Sequence, residues 1–200
     1  MLPEKSMFSL VFGFLKWAIA RDEARILLAG LDGSGKTLLL EHIKQVFLRD
    51  HKAAPPAVIP PTIGMNLSKV PVSDMDVTIW DVGGTMRKIW GQYYGEVDGV
   101  IFVVDACDRA RFEEARLALT EILTNTAGSL PVLLVANKQD LPHATGGGGV
   151  MEAVGRPAGL NDTSARVHRV IEVSALKDSD ARDVVVWITE QSRAGALERQ

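Results

Sequence analysis

The stretch Gly30-Leu31-Asp32-Gly33-Ser34-Gly35-Lys36-Thr37 constrains this chain more than any other feature. It matches G-x-x-x-x-G-K-[ST], with the apolar run Ile26-Leu27-Leu28-Ala29 before it and a helical pattern after it. Glycines let the backbone bend so that successive N–H groups point inward at phosphate oxygens. A helix starting near Lys36 adds its positive dipole end. Lys36 supplies a mobile charge to the outer phosphates, and the Thr37 hydroxyl is a hard oxygen ligand suited to Mg²⁺. The spacing therefore predicts a strand, a phosphate cradle and a helix. Alone it says only that a nucleoside triphosphate binds.

The rest of the chain fits a single α/β domain. Its 200 residues are 46% hydrophobic and 24% charged, an ordinary globular balance with room for one core. Strands are expected at Arg25–Ala29, Met65–Val70, Val77–Trp80, Gly99–Val104, Val132–Ala136 and Val167–Val173. Helices are expected at Lys36 to about Arg49, Phe112–Thr126 and Ala181–Gln191. Strands that alternate with helices imply a mostly parallel, six-stranded sheet with helices on both faces. His51–Pro61 carries two Pro-Pro pairs and reads as a loop, not a central strand. Pro71-Val72-Ser73-Asp74 reads as a connection between neighbouring strands. The glycine tract Gly146–Gly149 reads as a flexible surface loop.

Several function classes are excluded. A net charge of −3 does not support nucleic-acid binding across the surface. The single cysteine, Cys107, allows no intrachain disulfide, and a reducing compartment is the natural reading. The apolar run Phe8–Leu15 imitates a secretory signal, but Glu4 offsets Lys5 in the leader. Lys16 interrupts it well short of the ~20 apolar residues a membrane span needs. Phe8, Val11, Phe12, Leu15 and Ile19 instead form a stripe at helical spacing. An amphipathic helix in residues 1–20, packed on the domain or entering a membrane interface, is the expectation. The domain proper is expected from residue 21 to residue 200.

Asn137-Lys138-Gln139-Asp140 follows directly on a buried-type strand and points to guanine. Guanine presents two adjacent donors, its ring N1–H and its exocyclic amine, and the Asp140 carboxylate can accept both. Against adenine the same carboxylate is left unpaired. The Lys138 stem can lie along the base, and Asn137 can tie the loop together. A backbone N–H in Ser174-Ala175-Leu176 can meet the guanine carbonyl. Such ligands bind at the carboxyl ends of the strands.

The combination resembles the ADP-ribosylation-factor (Arf) family of small GTPases. Trp80-Asp81-Val82-Gly83-Gly84 is similar to its W-D-x-G-G, and Pro61-Thr62-Ile63-Gly64-Met65-Asn66 to its P-T-x-G-x-N. Val104–Arg109 and Ala136–Pro142 are also close. The resemblance runs from about Met7 to about Gln191, and the opening Met7–Glu23 is similar to the family's Golgi Arf-related branch. It implies a nucleotide site of Gly30, Asp32, Gly33, Ser34, Gly35, Lys36, Thr37, Leu38, Thr62, Gly84, Asn137, Lys138, Asp140, Ser174 and Ala175. It implies GTP or GDP with Mg²⁺ held through Thr37, Thr62 and Asp81. It also implies an apolar effector patch at Met65, Trp80 and Tyr93. The expected partners are an exchange factor, a GTPase-activating protein and effectors. The chain is expected to act as a monomer, in the cytosol and on the cytosolic face of Golgi membranes, with Phe8–Ile19 giving reversible membrane association.

Three departures stand out. Thr85 occupies the place where the family has a water-positioning glutamine, so very slow hydrolysis is expected and no catalytic residue is certain. Leu2 replaces the glycine that N-myristoylation requires, and initiation at Met7 is a second reading of the start. Leu38 leaves only a backbone N–H where the family often has a second hydroxyl. The leading reading is a GTP/GDP switch, with a hydrolysis-poor, constitutively loaded scaffold as the alternative. An ATP-using kinase sharing the cradle is disfavoured, because Asp140 has no use in reading adenine.

Overall fold

The computed structural model describes residues 22–72, 74–126, 130–155, 167 and 169–197. The amphipathic helix expected at Phe8–Ile19, and with it the boundary at residue 20, lies outside the described residues. The strands are β1 (Asp22–Ala29), β2 (Met65–Val72), β3 (Met75–Val82), β4 (Gly99–Asp105), β5 (Val132–Asn137) and β6 (Arg169–Glu172). They form one six-stranded sheet in the order β2-β3-β1-β4-β5-β6. Only the β2–β3 pair is antiparallel. The helices are α1 (Lys36–Phe47), α2 (Arg87–Trp90), α3 (Phe112–Thr126), α4 (Gly147–Ala153) and α5 (Asp178–Leu197).

Strand alternation splits the core into two layers. On one face Ile26, Leu28, Ile79 and Ile101 pack with Leu39, Leu40 and Ile43 of α1 and Val184 and Ile188 of α5. On the other Leu27, Val100, Phe102 and Leu134 pack with Trp90 of α2, Leu119 and Ile122 of α3 and Val150 of α4. Helices cover both faces, so β5 is buried along its whole length, as is β4 up to its last residue, Asp105. Each such Leu or Ile contributes roughly 1.5–3 kcal/mol through burial. The Trp90 and Phe102 rings meet edge to face at 6.4 Å.

The structure corrects several boundaries. β1 starts at Asp22, because Asp22–Arg25 pair with Met75–Thr78 of β3. β2 and β3 run on to Val72 and Met75, so Pro71 and Val72 belong to the hairpin rather than to its turn. Pro71 is tolerated there because β2 is an edge strand and needs no second ladder donor. The last strand is trimmed to Arg169–Glu172. The last helix starts earlier, at Asp178, with Asp178 and Asp180 in the first turn favoured by the helix dipole. The glycine tract is not a free loop. Gly147 opens α4, and its N–H donates to Glu172 Oε1 at 2.6 Å. A carboxylate from β6 thus satisfies an N–H that a helix start otherwise leaves unpaired.

Candidate nucleotide-binding site

The cradle leaves the carboxyl end of β1 and turns into α1. Gly35 sits at φ +93°, a left-handed conformation that favours glycine, and a Cβ there would collide with Asn137 Nδ2. The first turn of α1 holds no acidic residue and no side-chain cap. Its free N–H groups and dipole are therefore open to an anion. Lys36 Nζ donates to Gly30 O at 2.9 Å and to Leu31 O at 2.8 Å. These carbonyls only partly replace water, and burial pushes the Lys36 ammonium down to about 8.

Three segments distant in sequence converge beside Lys36. The Thr37 hydroxyl donates to Asp81 Oδ2 at 2.8 Å and lies 2.7 Å from the Thr62 hydroxyl. The Thr62 hydroxyl reaches the same Asp81 oxygen at 3.3 Å. Asp81 is fully buried, and burial raises its pKa. Its other oxygen, Oδ1, has no partner among the described residues. Two hydroxyls and an under-satisfied buried carboxylate form a hard-oxygen set that fits a small divalent cation such as Mg²⁺. The cation's charge would offset the cost of burying Asp81 ionised.

The loop after β3 lies closed on the cradle. Gly83 N–H donates to Gly64 O at 2.9 Å, which joins it to the loop that carries Thr62. A Cβ on Gly84 would collide with Asp32 N in the cradle, so only glycine allows this approach. Thr85 follows in a short 3₁₀ turn and is exposed. A cleft of about 690 Å³ runs past Asp32, Lys36, Thr37, Leu38, Thr62, Gly84 and Thr85 to Lys138.

At the other end the β5–α4 loop meets the β6–α5 loop. Asn137 Nδ2 donates to Ser34 O at 2.8 Å, and Asn137 Oδ1 accepts Ala175 N–H at 3.0 Å. One amide thus ties the cradle to the last loop. Asp140 is exposed, and its Oδ1 accepts the Ser174 hydroxyl at 2.6 Å, which orients the carboxylate. Lys138 has φ +67°, and its Nζ donates to Asp105 Oδ2 at 2.6 Å. Gln139, between the two, spans the turn by donating to Thr145 O at 3.0 Å.

The structure gathers the expected site residues at the carboxyl ends of β1, β3, β5 and β6. Two members were not legible in sequence. Asp105 ends β4 inside the family-like run Val104–Arg109, but nothing local shows that it anchors Lys138. Arg111 Nη2 donates to Asp32 Oδ1 at 2.7 Å, and no local pattern joins these residues across their 79-residue separation. Of the expected apolar patch, Trp80 and Tyr93 are half-buried and meet edge to face at 5.5 Å. Met65 is exposed on β2, opposite Val82 of β3. Leu67 stands directly opposite Trp80 and is more exposed than Met65, a member the sequence pattern passed over.

A cradle at the end of a parallel strand and a carboxylate loop two strands further along the sheet define a P-loop protein built to hold a purine nucleoside triphosphate. The chain belongs to the ADP-ribosylation factor family, whose model matches residues 9–192. It is therefore a small GTPase, a GTP-binding regulatory switch. It is 34% identical over 186 residues to ADP-ribosylation factor-like protein 3 of Saccharomyces cerevisiae, covering 91% of this chain and 92% of that one. It is 38% identical over 138 residues to human ADP-ribosylation factor-related protein 1, covering 68% of this chain and 69% of that one. Among solved structures it superposes on the Arl6 BBS3 small GTPase of Trypanosoma brucei with bound GppNp. That match has a TM-score of 0.71 and 25% identity over 86% of this chain and 98% of that one. The mammalian SRP receptor shares the fold alone, with a TM-score of 0.70 and 19% identity over 84% and 99% of the two chains.

Proposed function

We propose that the chain cycles between GDP and GTP to regulate membrane traffic at the cytosolic face of the Golgi. In this reading Lys36 and the cradle N–H groups grip the phosphates, and Leu38 contributes its backbone N–H. Asp140 reads guanine, and Lys138 lies along the base. Thr37, Thr62 and Asp81 would hold Mg²⁺, which neutralises developing phosphate charge when bound. The observation that carries the reading is the convergence of Thr37, Thr62 and Asp81. Their loops meet where the outer phosphate would lie, so losing that phosphate removes what holds them together. Met65, Trp80 and Tyr93, with Leu67, form the surface that effectors read in the GTP form. An exchange factor and an activating protein complete the cycle, and Phe8–Ile19 gives reversible membrane association to a monomer. The resemblance of Met7–Glu23 to the Golgi Arf-related branch supports the location.

Thr85 favours a second reading, a scaffold that stays loaded because nothing orients the attacking water. Protein purified without added nucleotide and analysed by chromatography separates the readings. Bound GDP is expected for the cycling switch and GTP for the loaded scaffold. Adenine nucleotide, or failure to load either guanine nucleotide in the presence of Mg²⁺, would overturn both.

A further inference from the structure

We propose that Arg111 sets the relative affinity for GTP and GDP by neutralising Asp32, a carboxylate built into the phosphate cradle. The inference rests on the nucleotide-switch reading above. An anion is out of place in a loop whose task is to hold phosphates. Asp32 nevertheless stands within the cradle and lines the same cleft as Lys36, Thr62 and Gly84. It lies at the outer-phosphate end, because Gly84 packs directly on the Asp32 backbone.

Arg111 meets this carboxylate with a fork. Nη2 donates to Asp32 Oδ1 at 2.7 Å and Nη1 to Asp32 O at 3.1 Å. Its remaining nitrogen, Nε, donates to Glu114 Oε2 at 2.8 Å. The arginines beside it face elsewhere. Arg109 bonds the Thr145 hydroxyl, and Arg116 bonds Glu113. Arg111, in the turn after β4, is thus aimed and held at the cradle, a geometry that Lys cannot reproduce. The Arg111 guanidinium holds the Asp32 carboxyl below its ordinary value.

The consequence is differential. GTP brings more negative charge than GDP to the end where Asp32 stands. An unpaired Asp32 repels GTP more strongly, so the ion pair selectively favours the triphosphate. A purely mechanical strap would hold the cradle in shape for both nucleotides alike.

The test measures GTP and GDP affinities with Mg²⁺ at low and high salt, using fluorescent analogues on the full chain. Arg111→Ala is expected to lower the GTP-over-GDP preference about two- to fivefold at low salt, the order for one half-exposed charge pair. High salt should shrink the effect. Asp32→Asn in the Arg111→Ala background should restore the wild-type ratio. Asp32→Asn alone, which needs no loss of the arginine, should shift the ratio towards GTP. Equal weakening of both nucleotides in Arg111→Ala, or a deficit that Asp32→Asn leaves in place, would overturn the proposal and leave Arg111 a structural strap. Should the wild-type chain bind neither nucleotide, the switch reading itself falls, and this inference with it.

Discussion

The two ends of the nucleotide cleft are built on opposite plans. At the base end the loop residues are tied to one another within the protein. Asn137 bonds Ser34 and Ala175, Ser174 bonds Asp140, and Lys138 bonds Asp105. At the phosphate end the partners are makeshift. Lys36 rests on two backbone carbonyls, and Asp81 Oδ1 is orphaned in the interior. A reader of the base must keep one shape whichever phosphates are present. A sensor of the phosphates must gain something when they arrive, and under-satisfied buried groups have the most to gain. On the proposed function, specificity belongs to the base end and switching to the phosphate end.

The sharpest way to break this contrast lies at the base end. Asp140→Asn should lower GTP affinity about a thousandfold and raise affinity for xanthosine triphosphate, since the site's acceptor becomes a donor. Competition binding with the two nucleotides reads the exchange, and an unaltered base preference would remove Asp140 from the base site. At the phosphate end, Gly84→Ala should spare GDP binding but cost about 10- to 100-fold in GTP affinity. That is the worth of one hydrogen bond from the Gly84 N–H to the outer phosphate of GTP, a contact the family resemblance implies, lost because the new Cβ meets the cradle backbone. A change in the fluorescence of Trp80 and Trp90 is expected between the two nucleotide states, and it should vanish with the variant.

A smaller effect concerns turnover. Thr85→Gln should raise single-turnover hydrolysis on the order of tenfold by restoring a group long enough to orient water. Rapid wild-type hydrolysis without a partner would show that the threonine suffices. The smallest effect is in pH. Burial pushes Lys36 down to about 8 in the free protein, and a bound phosphate would hold it charged, so binding above pH 8 should take up a proton. Nucleotide affinity should then fall as pH rises past 8, by up to about tenfold per unit. Calorimetry in buffers of different ionisation heat would detect the proton. Base preference should not change over the same range, which separates the two ends once more.

Much of the site was readable because it is local. The cradle is one run from Gly30 to Thr37, and its strand and helix flank it directly. Asn137 to Asp140 follow their strand without a gap. The apolar runs of β4 and β5 announce strands covered on both faces. What escaped sequence reading depends on neighbours in space. The glycine tract looked like a loop because glycine has poor helix propensity, yet Glu172 supplies the bond that starts α4 there. Pro71 looked like a strand breaker, yet the edge position of β2 leaves its missing donor harmless. Arg111 carried no motif, since its partner is on another loop.

The amino-acid order by itself determined the class of ligand, the base and the parallel α/β architecture. Each depends on short segments whose backbone geometry and donor pattern are settled among adjacent residues. Only the tertiary structure decided that Thr37, Thr62 and Asp81 share one point, that Gly84 closes on Asp32, and that Arg111 neutralises it. Parallel strands deliver their carboxyl ends to one edge of the sheet, and residues far apart in the chain become neighbours only once that edge exists.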